Sequence, residues 1–156
     1  MRLALFQPDI PQNTGTLLRT AMCLNLGVDI IEPCGFVFSD RQLRRAGMDY
    51  LEHADITRHS SWQVFRETEL VKSCRLVLLS TRAETRYTDF QYHESDILMV
   101  GRESAGVPDD VFNAVDARLC IPMAAEARSL NVAIAAAMVL GEGLRQVSET
   151  RPSSSN

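Results

Sequence analysis

The sequence predicts a single α/β domain with a mostly parallel sheet flanked by helices. Short apolar runs alternate with segments of helical periodicity along the chain. The runs are apolar at consecutive positions, which is typical of parallel strands covered on both faces. At 156 residues, 46% of them hydrophobic, the chain is long enough to bury one substantial core. Alternating strands and helices favour a parallel sheet over an antiparallel one.

Two strands are predicted in the first third of the chain, at residues 3–6 and 28–31. Both are apolar runs closely followed by a proline, which cannot donate a hydrogen bond to a neighbouring strand. The helix predicted between them, at 12–25, has a broad apolar face and is followed by a glycine. A shorter helix is predicted at 40–46, between a Ser-Asp cap and another glycine.

The middle of the chain continues the same alternation. A serine cap begins a predicted helix that runs to residue 70, and 75–80 is a near-continuous apolar strand. Residues 97–100 form another strand that leads directly into a glycine. A helical turn begins at Asp109 or Asp110, and 118–121 is the fifth strand.

The most apolar stretch is residues 132–140, nine consecutive apolar side chains. It is much shorter than the roughly 20 residues of a membrane span, and its alanine and leucine favour a helix. We expect a helix buried on nearly all sides, with Ser129 as its N-cap. The polar residues 150–156 have no core to join, so we expect a domain at 1–149 and a disordered tail.

The charge and the cysteines exclude several classes of protein. A net charge of −4 argues against nonspecific coating of nucleic acid. Residues 41–86 nonetheless hold nine basic residues against six acidic ones, most of them arginines that can grip phosphate; arginine-rich codon usage is the alternative for the composition. The four scattered cysteines and three histidines lack ligand spacing, so we predict no metal and reduced, mostly buried thiols. With no secretory segment, we expect a cytoplasmic protein away from membranes.

Ligands of open α/β sheets bind at the carboxyl ends of strands, where two loops stand out. These are GRESAGVP at 101–108 and PMAAEARSLN at 122–131. The first matches neither the Walker A loop nor the dinucleotide fingerprint, which disfavours a nucleoside triphosphate or a dinucleotide. No G-x-S-x-G elbow is present, which disfavours hydrolysis by a serine triad.

Three segments carry a resemblance to a known family. NTGTLLRTA at 13–21, LMVGRESAGVP at 98–108 and IPMAAEARSLNVAIAAA at 121–137 are similar, in order and spacing, to the three motifs of the SPOUT methyltransferases. The likeness is to the branch that methylates RNA ribose 2′-hydroxyls. Between the motifs, IIEPCGF and RQLRRAGMDYLEHADITRH resemble the members that modify the tRNA wobble nucleotide. The resemblance covers residues 1–147.

The resemblance implies a structure and an activity that the residue patterns alone do not give. The carboxyl-terminal part would be threaded into a trefoil knot, which general folding rules would not predict. The knot loops would bind S-adenosylmethionine, and two copies would form a homodimer with the active site at their interface. The methyl group would pass to the ribose 2′-hydroxyl of cytidine or uridine 34, in the tRNA anticodon loop.

The resemblance also assigns individual residues. Arg19 is placed at the reaction centre, where a side chain without an acceptor site could hold phosphate or stabilise an alkoxide. The other matched catalytic positions are Asn13, Glu103, Ser129 and Asn131. The expected donor pocket comprises Leu79, Ser80, Thr81, Gly101, Ile121, Met123, Ser129 and Leu130. The expected contacts to the tRNA backbone are Arg41, Arg44, Arg45 and Arg58.

Three alternatives stay open from the sequence. The target could be another position in tRNA or ribosomal RNA, the chain could be a non-catalytic RNA-binding module on the same fold, or it could be a small-molecule enzyme without an RNA role. One position departs from the wobble-modifying members: Gly141 precedes Glu142 where they commonly carry an aromatic residue. The departure concerns the tRNA contact more than the donor pocket.

Overall fold

The computed structural model describes residues 1–37 and 55–150. Its strands are β1 (Arg2–Phe6), β2 (Gly27–Ile31), β3 (Ile56–His59), β4 (Leu76–Leu79), β5 (Thr85–Arg86), β6 (Ile97–Val100) and β7 (Ala117–Cys120). Its helices are α1 (Pro11–Cys23), α2 (Trp62–Glu67), α3 (Glu69–Lys72), α4 (Asp109–Ala114) and α5 (Val132–Thr150). The helix predicted at 40–46 and the tail at 151–156 lie outside the described residues.

The seven strands form one parallel sheet in the order β3-β2-β1-β6-β4-β7-β5. All five predicted strands are present, so the predicted α/β class with a parallel sheet is confirmed. Because every strand points the same way, the loops that follow β1, β4, β6 and β7 gather at one edge of the sheet. The trefoil knot stays a prediction that rests on the resemblance.

The sheet is covered on both faces. In β1, Leu3 and Leu5 belong to a core cluster formed with α1 and α5, while Ala4 and Phe6 belong to a second cluster that contains Phe65 of α2. This split follows from the alternation of side chains along a strand. Burial on both faces explains why these strands are apolar at consecutive positions.

The helix predicted to begin at Ser60 or Ser61 and to run to residue 70 is interrupted. Ser61 caps α2 by accepting a hydrogen bond from the amide of Val64 at 3.2 Å. At Thr68 the backbone is extended, and its hydroxyl accepts from the amide of Val71 at 3.3 Å to begin α3. A side chain that can cap a new helix offers the backbone an alternative to continuing the old one.

The last helix differs from its prediction in two ways. Asn131, not Ser129, caps it: the Asn131 side-chain oxygen accepts from the amides of Ala133 at 2.9 Å and Ile134 at 3.3 Å. The helix is also not buried on nearly all sides, since Ile134 is 57% and Met138 39% exposed. These two side chains are four residues apart and therefore share one face of α5.

The cysteines depart from prediction in their burial. All four are free, as expected for reduced thiols, but none is buried: Cys23 is exposed, and Cys34, Cys74 and Cys120 are half-buried. Cys23 lies on the outer side of α1, next to the exposed Leu24. No helix in the described part of the chain has the length and apolar character needed to cross a membrane.

Candidate active site

A cavity of about 390 Å³ opens at the carboxyl edge of the sheet. Its walls come from the ends of β4 and β6, the loop after β7 and the segment before α5. It brings together all eight residues that the resemblance assigns to the methyl donor, namely Leu79, Ser80, Thr81, Gly101, Ile121, Met123, Ser129 and Leu130. These residues come from four separate segments, which meet only because the parallel strands end at a common edge.

The loop after β6 needs glycine at two positions. Gly101 lies so close to the chain opposite that a Cβ there would come within 2.7 Å of the Gly106 carbonyl carbon. Gly106 has a φ of +65°, which favours glycine. Arg102 and Gly106 close the loop through two backbone hydrogen bonds of 3.0 and 2.8 Å. The loop therefore has a fixed shape, and it contributes the side chains of Arg102 and Glu103 to the cavity wall together with backbone.

Three of the predicted catalytic residues form one hydrogen-bonded chain at the cavity. The Asn131 amide nitrogen donates to the side-chain oxygen of Asn13 at 2.9 Å. The Asn13 amide nitrogen in turn donates to Glu103 Oε1 at 3.2 Å. All three residues line the cavity, although Asn13 is 90 residues from Glu103 and 118 residues from Asn131 along the chain. The chain of contacts ties α1, the loop after β6 and the start of α5 together.

Asp9 completes this network and was not predicted from the sequence. Its backbone amide donates to Glu103 Oε2 at 3.1 Å, and its carboxylate accepts from the amide of Glu103 at 3.0 Å. The same carboxylate accepts from the hydroxyl of Ser104. Asp9 therefore fixes both the backbone and the side chain of Glu103. An acid between a strand end and a helix in "QPDIPQN" was the available signal.

The two carboxyl groups titrate in opposite directions. Burial, and then the hydrogen bond to Asp9, raise the pKa of Glu103 above its ordinary value. The hydrogen bond from Glu103, followed by those from Ser104, lowers the pKa of Asp9 to about 2. The pair therefore holds its negative charge more readily on Asp9 than on Glu103.

Arg19 stands apart from the cavity within one chain. It is exposed on α1 and does not line the cavity. Arg19 lies six residues after Asn13. This spacing corresponds to a rise of about 9 Å along the helix axis and places the two side chains about a third of a turn apart around it. In the described part of the chain, no hydrogen bond or ion pair holds its guanidinium. The structure therefore does not bring Arg19 to Asn13 and Glu103 of the same chain.

Ser129 lies in the cavity wall, where it is exposed and has no role as a cap. Residues 125–131 are exposed and precede α5 without regular structure, apart from a turn closed by a 2.9 Å bond from the amide of Ala127 to the Ala124 carbonyl. Because α5 begins only at Val132, Ser129 and Leu130 remain outside the helix. Their side chains are free to face a ligand.

The predicted RNA contacts are only partly described. Arg58 is the next-to-last residue of β3, and its Nε donates to the Glu32 carboxylate at 3.1 Å. It also lines a second cavity, at the carboxyl ends of β2 and β3. Arg41, Arg44 and Arg45 lie outside the described residues.

No metal site is visible in residues 1–37 and 55–150. No group of three or more histidine, cysteine, aspartate or glutamate side chains is close enough there to hold an ion. The nearest acidic pair to the cavity, Asp9 and Glu103, is engaged by backbone amides, Ser104 and Asn13.

The chain is similar in sequence to known RNA methyltransferases over most of its length. Residues 1–141 match the SpoU rRNA Methylase family. The chain is 59% identical over 145 residues to the tRNA (cytidine(34)-2'-O)-methyltransferase of Beijerinckia indica subsp. indica, covering 93% of this chain and 91% of that protein. It is 52% identical to the protein of the same name from Ancylobacter novellus, covering 94% of this chain and 92% of that one.

Solved structures agree with these relatives. One that concerns "the 2-OH methylation of C/U34 on tRNA" is 38% identical, has a TM-score of 0.87 and covers 95% of this chain and 96% of its own. An AdoMet-bound rRNA methyltransferase from Sinorhizobium meliloti is 28% identical, with a TM-score of 0.81, covering 92% of this chain and 55% of its own. The match over nearly the whole chain confirms the resemblance carried by the three motifs, and the chain belongs to the SpoU rRNA Methylase family.

Proposed function

We propose that this protein transfers a methyl group from S-adenosylmethionine to the ribose 2′-hydroxyl of the tRNA wobble nucleotide, cytidine or uridine 34. The observation that carries the proposal is the identity of 59% and 52% to two tRNA (cytidine(34)-2'-O)-methyltransferases over more than nine tenths of each chain. The working compartment would be the cytoplasm.

The cavity suits the donor because most of its wall is backbone, small polar side chains and apolar side chains, beside the charged side chains of Arg102 and Glu103. Leu79, Ile121 and Met123 supply apolar walls for an adenosine group, while Gly101 and Gly106 let backbone approach it closely. The AdoMet complex of the Sinorhizobium meliloti relative supports this choice of donor.

The hydrogen-bonded chain from Asn131 through Asn13 to Glu103 would orient the ribose at the mouth of the cavity. Methyl transfer requires the sulfur, the methyl carbon and the attacking oxygen to lie in line, so positioning alone can supply much of the rate. Arg19 would bind the neighbouring phosphate and stabilise the negative charge that develops on the 2′-oxygen. A sulfonium methyl group needs no Lewis acid, so we propose that the reaction proceeds without a metal.

Homodimer formation would bring Arg19 to the cavity of a second copy. The face of α5 that carries Ile134 and Met138 is apolar and exposed, and Leu24 at the end of α1 is 38% exposed. Gly141 continues this face, and a Cβ there would meet nothing within 4 Å. The space suits a partner helix. Since α1 packs against α5, a dimer formed through this face would place Arg19 near the interface.

Arg58, together with Arg41, Arg44 and Arg45, would contact the tRNA backbone. Each phosphate contact that is lost should reduce the salt dependence of binding. The ion pair of Arg58 with Glu32 leaves this arginine partly neutralised in the free protein. To bind tRNA, Arg58 would therefore have to leave the Glu32 carboxylate and contact a phosphate instead.

Nucleoside mass spectrometry tests the function directly. A strain lacking the gene should lose 2′-O-methylation at position 34 of particular tRNAs, and the purified protein with S-adenosylmethionine should restore it. Loss of a methyl group at another tRNA or ribosomal RNA position would transfer the activity to that target. An unchanged modification profile, with no transfer in vitro, would favour a non-catalytic or small-molecule role and reject the proposal.

A further inference from the structure

Arg102 carries an unpaired donor next to the cavity. Among the described residues, its Nε is the buried side-chain nitrogen that has no hydrogen-bond partner. Leaving a buried donor unpaired is unfavourable, and more so when the group is charged. Such a group in a native fold needs an explanation, and a ligand that pairs with it is one. Arg102 lines the cavity proposed for the methyl donor.

The other charged residue in the cavity wall is already engaged. Glu103 accepts from the amide of Asp9 at 3.1 Å and from the side chain of Asn13 at 3.2 Å, one bond on each oxygen. Arg102 is held only through its backbone, by the two bonds to Gly106. In the described part of the chain no ion pair or hydrogen bond engages its side chain. The cavity therefore presents one cation in a fixed backbone position without a counter-ion.

The position of Arg102 along the chain directs it toward the start of α5. Val100, two residues earlier, packs in the core cluster formed with α1 and α5. Arg102 lines the same cavity as Asn131 and Val132, which stand at the start of α5. Its side chain therefore belongs on the side of the sheet where Asn131 and α5 begin.

We propose that Arg102 binds the carboxylate of the donor's methionine part, as a donor-binding residue additional to those that the resemblance assigns. This inference rests on the proposed function. S-adenosylmethionine carries a sulfonium, an ammonium and one carboxylate, so a cation in the wall can pair only with the carboxylate. A guanidinium matches a carboxylate through two parallel hydrogen bonds, and both groups would be satisfied at once.

Two ligands and three variants test the proposal by titration calorimetry on the full chain. S-adenosylhomocysteine carries the amino acid carboxylate, while 5′-methylthioadenosine keeps the adenosine thioether and lacks the amino acid part. Arg102→Gln should weaken binding of S-adenosylhomocysteine by about 10- to 100-fold, the effect of losing a hydrogen-bonded charge. It should leave 5′-methylthioadenosine affinity unchanged. Arg102→Lys, which keeps the charge without the fork, should lie between. Arg86→Gln, on the exposed edge strand β5 and away from the cavity wall, is the matched control and should change neither affinity.

The other outcomes overturn the proposal in distinguishable ways. If Arg102→Gln weakens the binding of both ligands equally, Arg102 shapes the loop and does not bind the carboxylate. If neither ligand is affected but tRNA binding weakens and becomes less salt-dependent, the guanidinium binds an RNA phosphate. If the unaltered protein binds neither ligand, the proposed methyl donor itself is wrong and the inference fails with it. Should Arg102→Gln not fold, the ratio of the two affinities in Arg102→Lys decides in the same way.

Discussion

Asn131 serves two structural roles, and substitutions at this position can separate them. Its side-chain oxygen caps α5 through the amides of Ala133 and Ile134, while its amide nitrogen donates to Asn13. Asn131→Ala removes both functions. Loss of an N-cap costs about 1 kcal/mol, within a range of about 0.5–2. The exposed bond to Asn13 adds about 0.5 kcal/mol, the low end for a hydrogen bond.

The expected change in thermal stability follows from these terms. A protein of 150–250 residues loses about 2–4 °C in Tm for each kcal/mol, so Asn131→Ala should melt about 3–6 °C below the unaltered chain. Scanning calorimetry at one fixed protein concentration measures this, because dimer formation would make Tm depend on concentration. Ser129→Ala is the matched control. Since Ser129 does not cap the helix, it should melt within about 1 °C of the unaltered chain.

Asn131→Asp distinguishes the cap from the active-site contact. A carboxylate is an equally good cap and is favoured by the helix dipole, so Tm should be nearly unchanged. The carboxylate cannot donate to Asn13, however. If Asn13 turns its amide toward the new acid, it gives up its bond to Glu103. Either way the chain of contacts breaks, and the single-turnover rate of methyl transfer should fall by about tenfold or more.

Three results would refute this reasoning. If Asn131→Asp melts as low as Asn131→Ala, the side-chain oxygen of residue 131 is not the cap. If Ser129→Ala loses as much stability as Asn131→Ala, the helix begins at Ser129 in solution. A normal transfer rate in Asn131→Asp would show that the contact to Asn13 is not needed for the reaction.

Four further predictions follow from the same structure. Arg19→Ala should keep donor affinity but slow the single-turnover step by about 2.7–4 kcal/mol, the effect of losing an oxyanion donor; a full rate would remove Arg19 from the reaction centre. Ile134→Glu places a charge on the exposed apolar face of α5, so sedimentation should show a monomer, and an unchanged dimer would locate the interface elsewhere. Dialysis against a chelator should leave the transfer rate unchanged, whereas loss that only added metal restores would contradict a metal-free reaction. Because the pKa of Glu103 is raised in the folded protein, protonated Glu103 stabilises the fold fully at pH values below its ordinary pKa of about 4.3. This stabilisation is lost as the pH rises through the raised pKa. Urea unfolding should therefore show Glu103→Gln gaining stability relative to the unaltered chain over that rise, and parallel pH profiles would reject the shift.

Four of the five strands that the sequence predicts, β1, β2, β4 and β6, are buried on both faces, and their mostly apolar composition reflects that environment directly. In the fifth, β7, only Leu119 is buried. The two strands that prediction missed, β3 and β5, lie at the two edges of the sheet. β3 reads ITRH, with two exposed residues, and β5 is two exposed residues long. An edge strand is defined by its neighbour more than by its own side chains, and a local pattern contains no information about that neighbour.

The start of α5 shows a different limit of local patterns. Ser129 and Asn131 are both good capping residues two positions apart, so propensity cannot choose between them. The choice of capping residue depends on Asn13, which is 118 residues from Asn131. Asn13 accepts a hydrogen bond from the side-chain nitrogen of Asn131, while the side-chain oxygen of Asn131 caps the helix. Asp9 was missed for a related reason. One of the two hydrogen bonds between Asp9 and Glu103 comes from the backbone amide of Asp9. Every residue except proline has such a backbone donor, so the residue type does not reveal it.

The role proposed for Arg19 lies outside what either kind of pattern can predict, because it would involve a second chain. The resemblance places Arg19 at the reaction centre with Asn13, yet one chain holds the two a third of a turn apart on α1. A rigid helix cannot turn both side chains to one ligand without unwinding. The exposed apolar face of α5, which packs beside α1, offers the alternative that a second copy supplies the arginine. On this account Arg19→Ala and Asn13→Ala chains, mixed as heterodimers, should recover one intact site in which Arg19 and Asn13 come from different chains. Recovery of activity on mixing two inactive variants would require a shared site, and its absence would return Arg19 to its own chain.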